Sequence, residues 1–309
     1  MGCSSRTARL VVAGLVAAGC AGWSFLPAPA AAAACQAGSE RHRDGTRTVT
    51  QCRDGRLVLR RRLAMLPLGA GAVEKPLLDV RPTPTGQVQT LYSYGSTGPP
   101  PSVTRAANDS CTNAEFHRNP SLSGVPWPAR GYTYLANVRR MPHGDRDRRQ
   151  ITKGKHTWDT TRNGCGFRDI TNFKTRYGGR TSAVMHSFRD RRNVVDFGSL
   201  RPFTRDRAVI ALSRLWSSGG RLVEADTRFE QPPAIPAGRF SWAVSGRAQP
   251  RTWDLWSMAA HESGHVLGLT HATTSRDNWL TMSPIEHLNS TRWQTLGRGD
   301  TLGLRALYP

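Results

Sequence analysis

The side chains best placed to do chemistry are concentrated in one stretch, His261-Glu262-Ser263-Gly264-His265-Val266-Leu267-Gly268-Leu269-Thr270-His271. On a helix His261 and His265 are four apart, so both imidazoles project from one face about a turn apart. That is the spacing two ligands of a single Zn²⁺ need. Glu262 follows the first histidine directly, which sets its carboxylate beside a metal rather than on it. There it can take a proton from a water on the metal. Gly268 permits a left-handed backbone, so the chain can leave the helix sharply and return His271 as a third ligand. Three neutral imidazoles leave one zinc position open for water, the mark of a catalytic rather than a structural site. His-Glu-x-x-His alone arises by chance on many polar helix faces. Gly268 and His271 at fixed offsets separate this stretch from such matches.

The histidines need a helix over Asp254 to Leu269, with Leu255, Trp256, Met258, Ala259, Val266 and Leu269 packing inward and Thr252 or Asp254 capping its start. Further helices are expected over Ile151 to Thr161, with Trp158 on the buried face, and over Asp300 to Leu307. Strand-like stretches are Tyr132 to Val138, Ala183 to Phe188, Ala208 to Trp216 and Leu222 to Phe229. Strands followed by few helices predict an α+β fold with a mixed sheet.

The string His-Glu-x-x-His-x-x-Gly-x-x-His resembles the metzincin zinc endopeptidases, and Thr281-Met282-Ser283-Pro284 stands where that family has its Met-containing turn. The Gly268-Leu269 pair, Arg221-Leu222-Val223-Glu224-Ala225-Asp226 and the closing Asp300 to Tyr308 look most like the matrixin branch, especially small secreted bacterial members. The resemblance spans roughly Cys111 to Pro309. It implies a twisted mixed sheet with an active-site helix and a C-terminal helix. It also implies His261, His265 and His271 as zinc ligands, Glu262 as general base, Met282 as a floor beneath the histidines and peptide substrates. An extended peptide would add to an edge strand at about Ala208 to Leu215. The sequence departs from the branch at Ala272, where Ser is usual, and lacks a Pro-Arg-Cys-Gly switch. The other histidines (His42, His117, His143, His156, His186 and His287) are read as solvated or core residues. Glu224 and Asp226 are a candidate Ca²⁺ pair, with solvated strand carboxylates as the plainer reading. Trp279 and Trp293 are candidates for lining a specificity pocket.

The N-terminus reads as a secretory signal over residues 1–34. Arg6 and Arg9 precede an apolar Leu10 to Ala18, and Ala30 to Ala34 offers a cleavage site. A secreted, extracellular protein is expected. The remaining cysteines, Cys35, Cys52, Cys111 and Cys165, are even in number for an oxidising compartment, and nearest-neighbour pairing keeps one bridge in each region. Residues 35–80 form a small basic unit, a propeptide or wall-binding module. A hairpin is expected there between Thr46 to Cys52 and Arg56 to Leu63. Residues 81–110 read as a Pro/Gly/Ser/Thr-rich linker and residues 111–309 as the metallopeptidase domain.

Lys plus Arg number 43 against 22 Asp plus Glu, for a net charge of +21. The scattered, arginine-dominated charge suits anionic cell-wall polymers, and no recognition motif accompanies it to indicate specific nucleic-acid binding. No apolar run after the signal is long enough to span a membrane. The functional expectation is a secreted zinc metalloendopeptidase. The alternative is a non-catalytic, zinc-containing cell-envelope binding protein.

Overall fold

A computed structural model describes residues 36–309 except 42–46, 54–55, 69–70, 83–87, 96–108, 121, 123–125, 129–130, 171, 205–208, 233–240, 273–278 and 284–287. The expected signal, Cys35, His42, Pro284 and His287 lie outside the described residues.

The N-terminal part contributes β1 (Gly38–Arg41), β2 (Arg47–Arg53), β3 (Arg56–Leu68), β4 (Gly71–Pro82) and β5 (Val88–Gly95). After the short α1 (Asp109–Thr112) come β6 (His117–Arg118), β7 (Tyr132–Ala136), α2 (Asp145–Asp159), β8 (Thr175–Arg180), β9 (Val194–Phe197), β10 (Val209–Ser218) and β11 (Arg221–Phe229). The C-terminal part holds β12 (Ser241–Ala243), β13 (Thr252–Asp254), α3 (Leu255–Leu267), β14 (Leu269–Thr270) and α4 (Arg298–Leu307). The main sheet runs β1-β2-β3-β4-β5-β10-β11-β9-β7-β8. It is mixed: β7, β8, β9 and β11 pair in parallel, whereas β10 is antiparallel to both its neighbours.

Two expectations change here. The segment read as a linker is strand at both ends of its first half. Arg81 and Pro82 finish β4, and β5 pairs antiparallel with β4 and with β10, Tyr92 opposite Ser213 and Val88 opposite Ser217. The basic N-terminal strands β1 to β5 thus continue the same sheet. The Val88-Gln-Thr-Leu-Tyr-Ser-Tyr run has the β-branched and aromatic content of a strand, which the flanking Pro and Gly obscured. The second change is Ala183 to Phe188, which is not a strand. Its backbone is held by side chains instead: Asn137 Nδ2 donates to Ser182 O (3.1 Å) and Ala183 O (2.9 Å), and Arg228 Nη2 donates to Met185 O (3.3 Å). The expected hairpin is present as β2 and β3, with Arg47 opposite Leu63. Cys111 and Cys165 are bridged, and Cys52 is disulfide-bonded too.

The core lies between the sheet and α2 and α3. Buried residues from the sheet (Ala211, Leu215, Ala225, Phe229) meet Ile151 and Trp158 of α2 and Leu255, Met258, Ala259 and Val266 of α3. α2 and α3 approach so closely that a Cβ on Gly154 would lie 2.6 Å from both Ala259 Cβ and Ala260 N. Trp158 then reaches across to donate its indole N–H to Ala260 O at 2.7 Å. This contact fixes the depth at which α3, and so its histidines, sits against the sheet.

Candidate metal centre

α3 begins where Asp254 Oδ2 accepts the N–H of Ser257 at 2.8 Å, the expected capping contact. It ends at Gly268, whose φ of 105° is the left-handed conformation that glycine tolerates without steric cost. The last carbonyls of the helix, left without helical partners, receive Trp127 Nε1 at Val266 O (2.7 Å) and Tyr308 Oη at Leu267 O (3.0 Å). Past the turn, β14 pairs with β6, so the chain is tied down on its way to His271. The N–H of Ala272 donates to Met282 O at 2.9 Å, joining the third histidine to the turn that carries the methionine.

His261, His265 and His271 are brought together and buried, at 0, 0 and 4% exposure. Their Nε2 atoms form a triangle with sides of 3.1, 3.1 and 3.2 Å. His261 Nδ1 lies 2.7 Å from Thr281 O and His265 Nδ1 lies 3.0 Å from Leu269 O. A carbonyl only accepts, so in both rings the proton sits on Nδ1 and Nε2 is a bare lone pair. Two such lone pairs at 3.1 Å have no proton to share. A cation between them resolves the conflict. Tetrahedral ligands about 2.05 Å from Zn²⁺ would stand about 3.3 Å apart, so the triangle fits that ion. Burial holds both rings neutral, lowering His261 to about 4 and His265 well below its ordinary value. Neutral imidazole is the form that ligates.

Glu262 is 1% exposed, and its two oxygens differ. Oε2 accepts the Ser213 hydroxyl, whereas Oε1 is buried without a hydrogen-bond partner. Burial raises Glu262 to about 8, against the opposing Ser213 bond and the charge of Lys155. A cation on the histidines would add to that opposition and favour the carboxylate. Lys155 is itself buried, donating to Tyr132 Oη at 2.7 Å and lying 4.7 Å from the Tyr134 ring centre. Desolvation lowers it to about 8.

Met282 is buried, and its Sδ lies where a Cβ on Gly264 would be, 2.1 Å from that position. Gly264 thus lets the methionine slide under the helix between the two histidines. Asp300, given no site role from sequence, holds this turn. Its carboxylate accepts N–H groups from Thr281 (2.8 Å), Met282 (3.1 Å) and Gly297 (2.8 Å), and so aims Thr281 O at His261. Its bond to Gly297 is a local helix cap, but its grip on the methionine turn has no local sequence signal, because those two partners lie 18 and 19 residues earlier.

Other candidates resolve differently. Glu224 and Asp226 are not solvated strand carboxylates: they are 0 and 1% exposed. Glu224 accepts the N–H of Asp190 at 3.0 Å and that of Arg191, and Asp226 accepts that of Val194 at 2.8 Å. They organise the 181–194 segment through its backbone. Trp293 is a core residue with its ring 6.1 Å from His261, and Trp279 stacks with Arg292. His117 pairs with Glu115 and His143 with Asp147, His156 is exposed, and His186 stacks on the exposed Phe188.

Acid should act on this site in a defined direction. His261 and His265 stay neutral in the fold and protonate in the unfolded chain below about pH 6.5. The unfolded form then binds more protons, so their contribution is complete above pH 6.5 and is lost as pH falls toward 4. Glu262 and Asp226, both raised to about 8 by burial, act oppositely, so the comparison must be differential. Urea unfolding of the metal-free protein at pH 7 and pH 5 should show a larger acid loss in the wild type than in a His261→Gln/His265→Gln variant. Equal losses would contradict the assigned neutral state.

A search of the curated proteins finds no match to the chain. The Matrixin family model matches residues 177–309, the part that carries β9 to β11, α3, the three histidines, Met282 and α4. Matrixins are zinc metallopeptidases, and this match supports a matrixin-type, metzincin-like protease over residues 177–309.

Proposed function

We propose that the chain is a secreted zinc endopeptidase with Glu262 as its general base. The observation that carries this reading is the pairing of three convergent Nε2 atoms with a buried carboxylate oxygen, Glu262 Oε1, that has no hydrogen-bond partner. His261, His265 and His271 would hold the zinc, which when bound supplies a Lewis acid for the scissile carbonyl and brings the pKa of a water toward ~7. Glu262 Oε1 takes a proton from the attacking water and returns it to the departing amine nitrogen. Nδ1–H bonds to Thr281 O and Leu269 O keep His261 and His265 aimed through the cycle. An intact ligand set beside a base is more than a non-catalytic envelope-binding protein requires. Export belongs to the same reading: the expected signal precedes a domain carrying the Cys111–Cys165 bridge, which suits an oxidising compartment.

The role of residues 36–95 follows from β10. By resemblance this is the edge on which an extended peptide would lie, and its Ser213 touches Glu262. That edge is paired along Val209 to Ser217 by β5. A peptide cannot form the same backbone bonds while β5 holds them. We therefore read the N-terminal strands as a latency segment that leaves before substrate binds, with calcium and wall attachment not required by this scheme.

Two measurements test these readings. Casein should be cut by the secreted protein but not by Glu262→Gln, which should retain one zinc and lose at least about a hundredfold in turnover; His265→Ala should lose the metal. Equal cleavage by Glu262→Gln would overturn the assigned role. The N-terminal residue of the active form should fall after Gly95, and a fully active form still carrying β5 would contradict latency.

A further inference from the structure

Two polar residues stand at core-facing positions where their strand neighbours are apolar. On β10, Ala211 and Leu215 enter the core that α3 shares, and Ser213 lies between them at 0% exposure. On β11, Ala225 and Phe229 do the same, with Thr227 between them at 3%. The two strands are in register there, Ser213 opposite Thr227. Burying two hydroxyls in an apolar layer is unfavourable unless each finds a partner. Their hydroxyls lie 3.1 Å apart, and Ser213 Oγ also reaches Glu262 Oε2.

The proton directions follow from valence. A serine hydroxyl has one proton, and the ionised carboxylate that a cation on the histidines favours only accepts, so Ser213 donates to Glu262 Oε2. Ser213 Oγ then has only lone pairs to offer Thr227, so Thr227 donates to Ser213. The result is a directed chain, Thr227 to Ser213 to Glu262, running from the sheet into the helix. It engages one carboxylate oxygen and leaves Oε1 without a partner. Nothing in the zinc-ligand pattern calls for it; apolar residues at both positions would complete the core equally well.

We propose that Ser213 and Thr227 are positioning residues for Glu262: the hydroxyl chain fixes the rotamer of the carboxylate so that Oε1, and not Oε2, faces the reacting water. The proposal rests on the peptidase reading for its kinetic consequence and on the geometry alone for the contact. With Ser213→Ala, Glu262 swings between orientations and the fraction poised for proton transfer falls. Substrate affinity and zinc affinity do not depend on that rotamer. Thr227→Val has nearly the shape of threonine without the donor, and weakens the chain one step further from Glu262.

The test joins kinetics to stability. On a peptide substrate, Ser213→Ala should lower kcat about tenfold, with KM within about twofold and one zinc per chain retained. Thr227→Val should fall between it and the wild type, and Thr227→Ser should recover the loss. In urea unfolding of the metal-free protein, Ser213→Ala and Glu262→Gln should be non-additive, because each removes one end of the same bond. Wild-type kcat in zinc-loaded Ser213→Ala, or strictly additive stability effects, would overturn the proposal. If the wild type cuts no peptide bond, the peptidase reading fails, and the unfolding cycle still decides the hydroxyl contact.

Discussion

The site depends on where two protons sit. Thr281 O and Leu269 O each claim the Nδ1 proton of a histidine, and this leaves the Nε2 lone pairs of His261 and His265 facing each other across 3.1 Å, with His271 closing the triangle. Much of the C-terminal half places those two carbonyls. Asp300 on α4 gathers the N–H groups of the Met282 turn and so presents Thr281 O. The left-handed Gly268 and the β14–β6 pairing present Leu269 O. Losing either carbonyl would free a ring to flip its tautomer and offer a proton where the metal needs a lone pair.

The remaining architecture sets the depth of α3. Gly154 lets α2 touch it at Ala259 and Ala260, Trp158 bonds its backbone, and Gly264 admits Met282 beneath it. Larger side chains at either glycine would clash with these neighbours and displace the helix, and Glu262 with it, relative to Ser213. Packing and catalysis are coupled through that one distance. Lys155, buried beside Tyr132 and Tyr134 on the same α2, adds a positive charge whose field reaches Glu262.

Legibility in the sequence tracked how local each determinant is. The ligand helix, its Asp254 cap and its Gly268 exit are all written within a dozen or so residues, and each was readable from spacing. β8 was not, since Thr-Arg-Tyr-Gly-Gly-Arg lacks an apolar alternation and becomes a strand only by pairing in parallel with β7 at the sheet's end. β9 is only Val194–Phe197, buried throughout and without periodicity. β5 was hidden between prolines and glycines, and its meaning comes from the strand it meets. Ser213 and Thr227 did leave a trace, a polar residue at the same core-facing position of two neighbouring strands. Its significance required the register that sets them opposite each other. Glu224 and Asp226 were invisible as backbone organisers, as was Asp300 in its hold on Thr281 and Met282, because those N–H groups lie far off in sequence.

X-ray absorption at the zinc edge of the purified protein tests the central claim most directly. The account predicts one zinc per chain with four light-atom neighbours near 2.0–2.1 Å, three of them showing the outer-shell scattering of imidazole and one oxygen. Sulfur in the first shell, fewer than three imidazoles, or no zinc retained would contradict it.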